Sequence, residues 1–236
     1  MNSRPVISIP TSRIASIALA SMALLVMVVL SHHPVIDHHD SARDAQLQMV
    51  PLSAADNLVH GALTAMLGIF ASALAVLGEV LGGRRPALSV AHAAYCLGCV
   101  LLGVAMLFDG FIVPQLAGQF VSDQAPETGM LILRSAGIVI QVFSKAGLIA
   151  HCVAILAWSY AAASSRTALR GLRGFAAIGL VAALLPAALI IFTGLKLAPH
   201  SLMAIFAIHA VWYLAAAWLL YAWSKTAQGA GTQVFA

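Results

Sequence analysis

Apolar and polar residues in this chain are sorted into long blocks, not into the short alternation of an aqueous fold. Six apolar runs stand out, at residues 14–30, 58–81, 87–113, 130–163, 172–195 and 201–223. At a rise of about 1.5 Å per residue, about 20 residues cross the roughly 30 Å of a bilayer's hydrocarbon. Only helices satisfy the backbone in lipid at this length. The pattern therefore predicts an all-α polytopic membrane helix bundle of six transmembrane helices, one transmembrane domain over residues 1–236. The 14–30 run is the shortest, and a signal peptide cleaved near Ser31 competes with a retained first helix. It exceeds the roughly 7–15 residues of a signal core, so the retained helix is the reading adopted. The 130–163 run is too long for one vertical span and should tilt or extend past the lipid. Pro186 removes a backbone donor mid-run and should kink the fifth helix.

Between the first two runs lies the longest polar segment, residues 31–57, expected as one exposed loop. Residues 31–60 hold five of the nine histidines and half of the eight acidic residues. Composition agrees: 61% of residues are hydrophobic and 8% charged, against roughly 25% charged in a soluble domain. The net charge of +4 comes from basic residues clustered beside the apolar runs. No basic stripe with interleaved aromatics points to nucleic acid; the lipid bilayer is the expected partner, with a second copy or a membrane-complex subunit as candidate protein partners. Arg4 and Arg13, then Arg84 and Arg85, then Arg166, Arg170 and Arg173, then Lys225 fall in alternate loops and termini. The other loops carry Asp37, Asp40, Asp44, Asp56, Asp123 and Glu127. Lys and Arg collect on the cytoplasmic side, so both termini are expected inside and the His-rich loop outside. The pattern resembles a bacterial inner-membrane protein.

Ionisable groups inside a span are costly and mark candidate sites. His60, Asp109 and Arg134 each sit three or four residues inside a helix end, in one predicted layer near the outer surface. This set reads either as a clasp tying three helices or as an outward-opening ligand site. On the second helix Asn57, His60, Thr64, Gly68, Ser72 and Glu79 share one face, as a packing stripe or a polar pathway would. On the third, His92, Cys96 and Cys99 recur at i, i+4 and i+7, with Met106 further along; imidazole, thiolate and thioether suit copper(I). His151 and Cys152 should approach the same layer, making His92 and His151 an axial pair for a b-type haem. Packing is the simpler reading, because cysteine is a small hydrophobe. Lys145 and His209 lie nearest the bilayer middle, and no acid is available there to pair the lysine. In the outer loop His32, His33, Asp37, His38, His39 and Asp40 combine imidazole and carboxylate, which suit zinc or copper(II).

Asn57-Leu58-Val59-His60-Gly61 and Asp109-Gly110-Phe111-Ile112-Val113-Pro114, with the acidic loop, resemble a loose group of uncharacterised bacterial six-helix membrane proteins. The likeness covers helices one to three, supports the topology and implies no activity. No phosphate-binding loop, zinc-protease or hydrolase pattern is present, so an enzyme is not the expectation. Three readings remain. The first is binding or transport of a small ligand or transition-metal ion at an outward-facing site built from His60, Asp109 and Arg134. The second is a redox protein holding haem or copper among His92, Cys96, Cys99 and His151. The third is a structural or assembly subunit.

Overall fold

The computed structural model describes residues 7–33, 41–83, 85–122, 126–165, 169 and 171–232. Their elements are α1 (Ile9–Ser31), α2 (Ala42–Val80), α3 (Pro86–Leu107), α4 (Val113–Ser122), α5 (Pro126–Ala163), α6 (Leu172–Phe192) and α7 (Pro199–Thr232). No strand occurs among the described residues. A π-helical turn, Phe108–Ile112, joins α3 to α4, and the two cross as one span. Six spans are long and apolar enough for a membrane. The fold class is therefore the expected one.

The six spans close a ring in which α1 packs on α7, α7 on α6, α6 on α5, α5 on α3, α3 on α2 and α2 on α1. The ring's outer surface is apolar: Phe192 is 82% exposed, Leu58 73% and Ile14 68%. Water would not tolerate such a surface; lipid does. Inside, Tyr95, Trp158, Trp212 and Tyr213 are fully enclosed, with the Tyr95 and Tyr213 hydroxyls 3.0 Å apart. Ser12 and Ser16 of α1 donate to the Leu220 and Ala217 carbonyls of α7, so the first helix is packed as a wall of the bundle.

Two expectations change. Residues 42–57 are helical, continuous with the second span, and the 31–57 segment is not a loop throughout. The cause is a capping arrangement at Ser41, whose Oγ accepts from the Asp44 amide and lies 2.6 Å from the Asp44 carboxylate. Such a cap satisfies first-turn donors and starts the helix; Pro51 is carried within it. Beyond His60 the polar stripe on α2 also points the other way. Leu63, Met66, Leu67, Phe70, Leu74 and Leu77 are buried, while Thr64, Gly68, Ser72 and Glu79 are exposed on the ring's exterior. Thr64 and Ser72 return their hydroxyls to the His60 and Gly68 carbonyls, which satisfies them without a pathway. Through Pro186, α6 continues as helix.

The most extensive pairing is α3 with α5. Gly98 and Gly147 make it possible: a Cβ at Gly98 would meet the His151 ring, and one at Gly147 would lie 2.8 Å from the Leu102 side chain. Gly98→Val should therefore lower stability in mild detergent by at least about 1–3 kcal/mol, the usual cost of overpacking. Gly103→Ala, where nothing lies within 4 Å, should change it by less than about 0.5 kcal/mol. Equal unfolding curves for the two variants would rule out the close crossing.

Candidate metal centre

At the end of the bundle where α1 runs into α2, four chemically active side chains converge from three elements. His33 follows the last turn of α1, Asp56 and His60 lie one turn apart on α2, and Asp109 sits in the π turn. His60 is buried, Asp109 half-exposed. His60 lies 20 residues above Val80, the other end of its helix, about 30 Å away at helical rise. That distance matches the roughly 30 Å of a bilayer's hydrocarbon, so a crossing that ends at Val80 on one side would end near this cluster on the other.

The π turn follows from Pro114. Lacking an N–H, this proline cannot donate to the carbonyl four residues back, that of Gly110. The Val113 amide bonds instead to Phe108, five back, giving the wider turn. With its amide nitrogen turned toward α3, Asn57 of α2 donates to the Gly110 carbonyl and so replaces the missing helical donor. Gly110 must also lack a Cβ, which would overlap the His60 ring. Proline, glycine and asparagine thus press α2 against the turn and aim Asp109 at His60. Turns of this type recur at functional sites.

His60 Nε2 lies 3.3 Å from Asp109 Oδ2. Its Nδ1 lies 2.9 Å from the Asp56 carbonyl and 3.2 Å from the Asp56 carboxylate. Both ring nitrogens thus face carboxylate oxygens: a protonated ring donates to each, and a ring that gives up its Nε2 proton keeps the Nδ1 proton on Asp56 and turns Nε2 to a metal ion. A carboxylate behind a ligating imidazole is the usual support of a metal site. His33 Nε2 lies 3.9 Å from Asp56, and its ring meets that of His60 edge to face at 5.0 Å. One donor atom each from His33, His60 and Asp109 falls within a 4.8 Å group. Two imidazoles and one carboxylate are a recurrent set for zinc or iron(II), leaving a coordination position open. Ligand atoms around a tetrahedral zinc ion are about 3.3 Å apart, the spacing already present between His60 and Asp109.

Among the residues expected from sequence, His33, His60 and Asp109 are brought together. Arg134 is not. It is exposed on α5, beside the buried Leu133 and Ala136, and among the described residues no ion pair joins it to Asp109. The helical phase turns it away from the bundle. His32 is exposed and bonds the Val28 carbonyl at 2.8 Å, closing the last turn of α1. Asp37, His38, His39 and Asp40 lie outside the described residues. Asp56 was missed, although its i, i+4 relation to His60 is visible in the sequence.

The second candidate set lies within the bundle. His92 Nε2 is 3.6 Å from Cys96 Sγ, and His151 Nε2 is 3.7 Å from Cys99 Sγ. No haem fits between His92 and His151. The His151 ring is stacked on Tyr95 at 4.2 Å and 5°, and the Gly98 backbone covers it from α3. His209, also fully buried, faces Cys152 at 3.9 Å. Lys145 is half-buried, without a hydrogen bond or ion pair to any described residue.

Comparison with protein-family models, with curated proteins and with solved structures found no match to this chain. The site must be read from its own geometry.

The Asn57 contact gives a direct test. Asn57→Ala strands the Gly110 carbonyl, a loss of about 1–3 kcal/mol for a buried acceptor. Adding Pro114→Ala restores a backbone donor and should recover part of that loss. Strictly additive destabilisation in this cycle would break the link between the proline and the asparagine.

Proposed function

We propose that this protein is a multi-pass membrane protein that binds a divalent transition-metal ion, zinc first, at the His33–His60–Asp109 centre. The observation that carries the reading is the convergence of these three donor atoms within 4.8 Å, with Asp56 placed behind His60 at Nδ1. Charge balance supports it. Asp56 and Asp109 bring two negative charges, and among the described residues neither has a lysine or arginine partner. A divalent ion with neutral imidazoles brings the group to zero net charge. Doubly protonated imidazoles would also balance it, and then the cluster is a fastening between α2 and the π turn. The half-exposed Asp109 leaves a path for exchange with water, which suits capture or delivery of the ion.

Purified protein stripped with chelator should bind one equivalent of Zn²⁺ or Co²⁺. His60→Ala and Asp109→Ala should abolish this, and Asp56→Asn should weaken it by about 10–100-fold. Ligation displaces the imidazole proton, so affinity should fall steadily as pH is lowered. Unchanged stoichiometry in His60→Ala would discard the centre. No bound metal in the parent protein, together with stability lost on His60→Ala, would establish the fastening instead.

The centre faces the outside of the cell in this reading, with both termini in the cytoplasm, because Arg and Lys collect at the opposite end. In a cysteine-free background, Ser41→Cys should react with an impermeant thiol reagent in intact cells and Ser165→Cys should not. Ser224, which is fully buried, is no use as a reporter. Labelling at position 165 from outside would invert the topology.

A further inference from the structure

The chain has three cysteines, and each has its sulfur within 3.9 Å of a histidine Nε2. The pairs are His92 with Cys96 at 3.6 Å, His151 with Cys99 at 3.7 Å and His209 with Cys152 at 3.9 Å. They join α3, α5 and α7 across the middle of the bundle. His151 and His209 are completely buried. In each of the three rings the remaining nitrogen, Nδ1, is enclosed and short of a full hydrogen bond, with the Tyr95 and Ala182 backbones beside the His151 and His209 rings. Each ring thus turns its Nε2, a ligating nitrogen, to a thiol. We propose that these thiol–imidazole pairs, the Cys99–His151 pair foremost, bind a monovalent thiophilic metal ion of the copper(I) class inside the membrane.

The donors select that ion. Thiolate and imidazole favour copper(I) over hard cations. Among the described residues no third histidine, cysteine or acidic donor joins any of these pairs to make a three-ligand group, so a tetrahedral zinc site is not assembled. Two donors suit a monovalent d¹⁰ ion of low coordination number. Charge selects it as well. One thiolate, one neutral imidazole and one monovalent ion sum to zero, the least costly total to place in hydrocarbon. A divalent ion on the same pair would leave a buried positive charge. Binding forms a metal–sulfur bond and a metal–nitrogen bond. It breaks the S–H bond and releases one proton to solvent for each ion, with no change of oxidation state. The Cys99–His151 pair sits where Gly98 and Gly147 hold α3 and α5 together, so its donors are fixed by backbone. Cys96 and Cys99, one turn apart on the same face of α3, place the first two pairs in succession along the helix. This site is independent of the divalent centre: it shares no residue with it, and its test separates the two.

The test uses purified full-length protein with copper(I) supplied and competed by bathocuproine disulfonate, and silver(I) as a redox-inert probe. The expected result is stoichiometric copper(I) with release of close to one proton per ion. X-ray absorption should show both sulfur and imidazole nitrogen in the first shell. Cys99→Ser should remove the tightest site, and His151→Ala should weaken it at least tenfold with all thiols intact. His60→Ala/Asp109→Asn should leave copper(I) uptake unchanged. Sulfur-only coordination in the unsubstituted protein would overturn the proposal without any variant having to fold. So would equal copper(I) uptake by a Cys96→Ser/Cys99→Ser/Cys152→Ser protein. Failure of the parent protein to hold copper(I) against the competitor would reduce the pairs to S–H···N hydrogen bonds.

Discussion

In hydrocarbon, a backbone carbonyl that loses its helical donor has no water to turn to. This chain creates that situation at Pro114 and at Pro186, and a histidine cluster stands at each place. Pro114 frees the Gly110 carbonyl, which Asn57 takes up, and the resulting π turn carries Asp109 to His60. Pro186 frees the Ala182 carbonyl of α6. The His209 imidazole lies beside that carbonyl, its Nδ1 short of a full hydrogen bond, and its Nε2 faces Cys152. Each proline disturbs one helix and draws a polar side chain from its neighbour. The polar groups of the interior are thus fixed by backbone defects, and the apolar ring is built around them.

The general architecture is legible in the sequence because lipid imposes one rule on every span. Apolar blocks of sufficient length must be helices, and the six blocks became six spans with ends shifted by up to a few turns. The largest shift is at α2, where the cap formed by Ser41 and Asp44 starts a helix inside a segment that reads as polar loop. Length and hydropathy register the lipid crossing, and they do not register helix that continues beyond it.

The centre was only half legible, for a definable reason. Counting residues along a span gives depth, and depth correctly put His60 and Asp109 in one layer. It says nothing of azimuth, so Arg134 was admitted on height alone although Leu133 and Ala136 are the positions that face inward. A five-residue π turn also shifts the phase after it, so Asp109 could not be oriented by a uniform 100° step. Asp56 required no tertiary knowledge, since a carboxylate four residues before a histidine shares its helix face. His33 did require it, because nothing local to α1 announces that its last turn ends beside α2.

The two clusters differ in the charge they can hold, and the difference follows from where they lie. At the bundle's end, beside water, two carboxylates accompany two imidazoles, a set whose charge a divalent ion would balance and whose half-exposed Asp109 would keep that ion exchangeable. Within the bundle, among the described residues, no carboxylate is buried. A cysteine can rest there neutral, as a small apolar group, and become a soft anionic ligand only when a cation arrives. Each pair can therefore stand empty in hydrocarbon without a buried charge and be filled without creating one. A carboxylate in the place of Cys99 would bring either a permanent charge or a stranded proton, and the tight α3–α5 crossing at Gly98 and Gly147 leaves no room for water to offset it. Hard donors at the boundary and soft donors at depth are what one bundle can carry at those two levels of solvation.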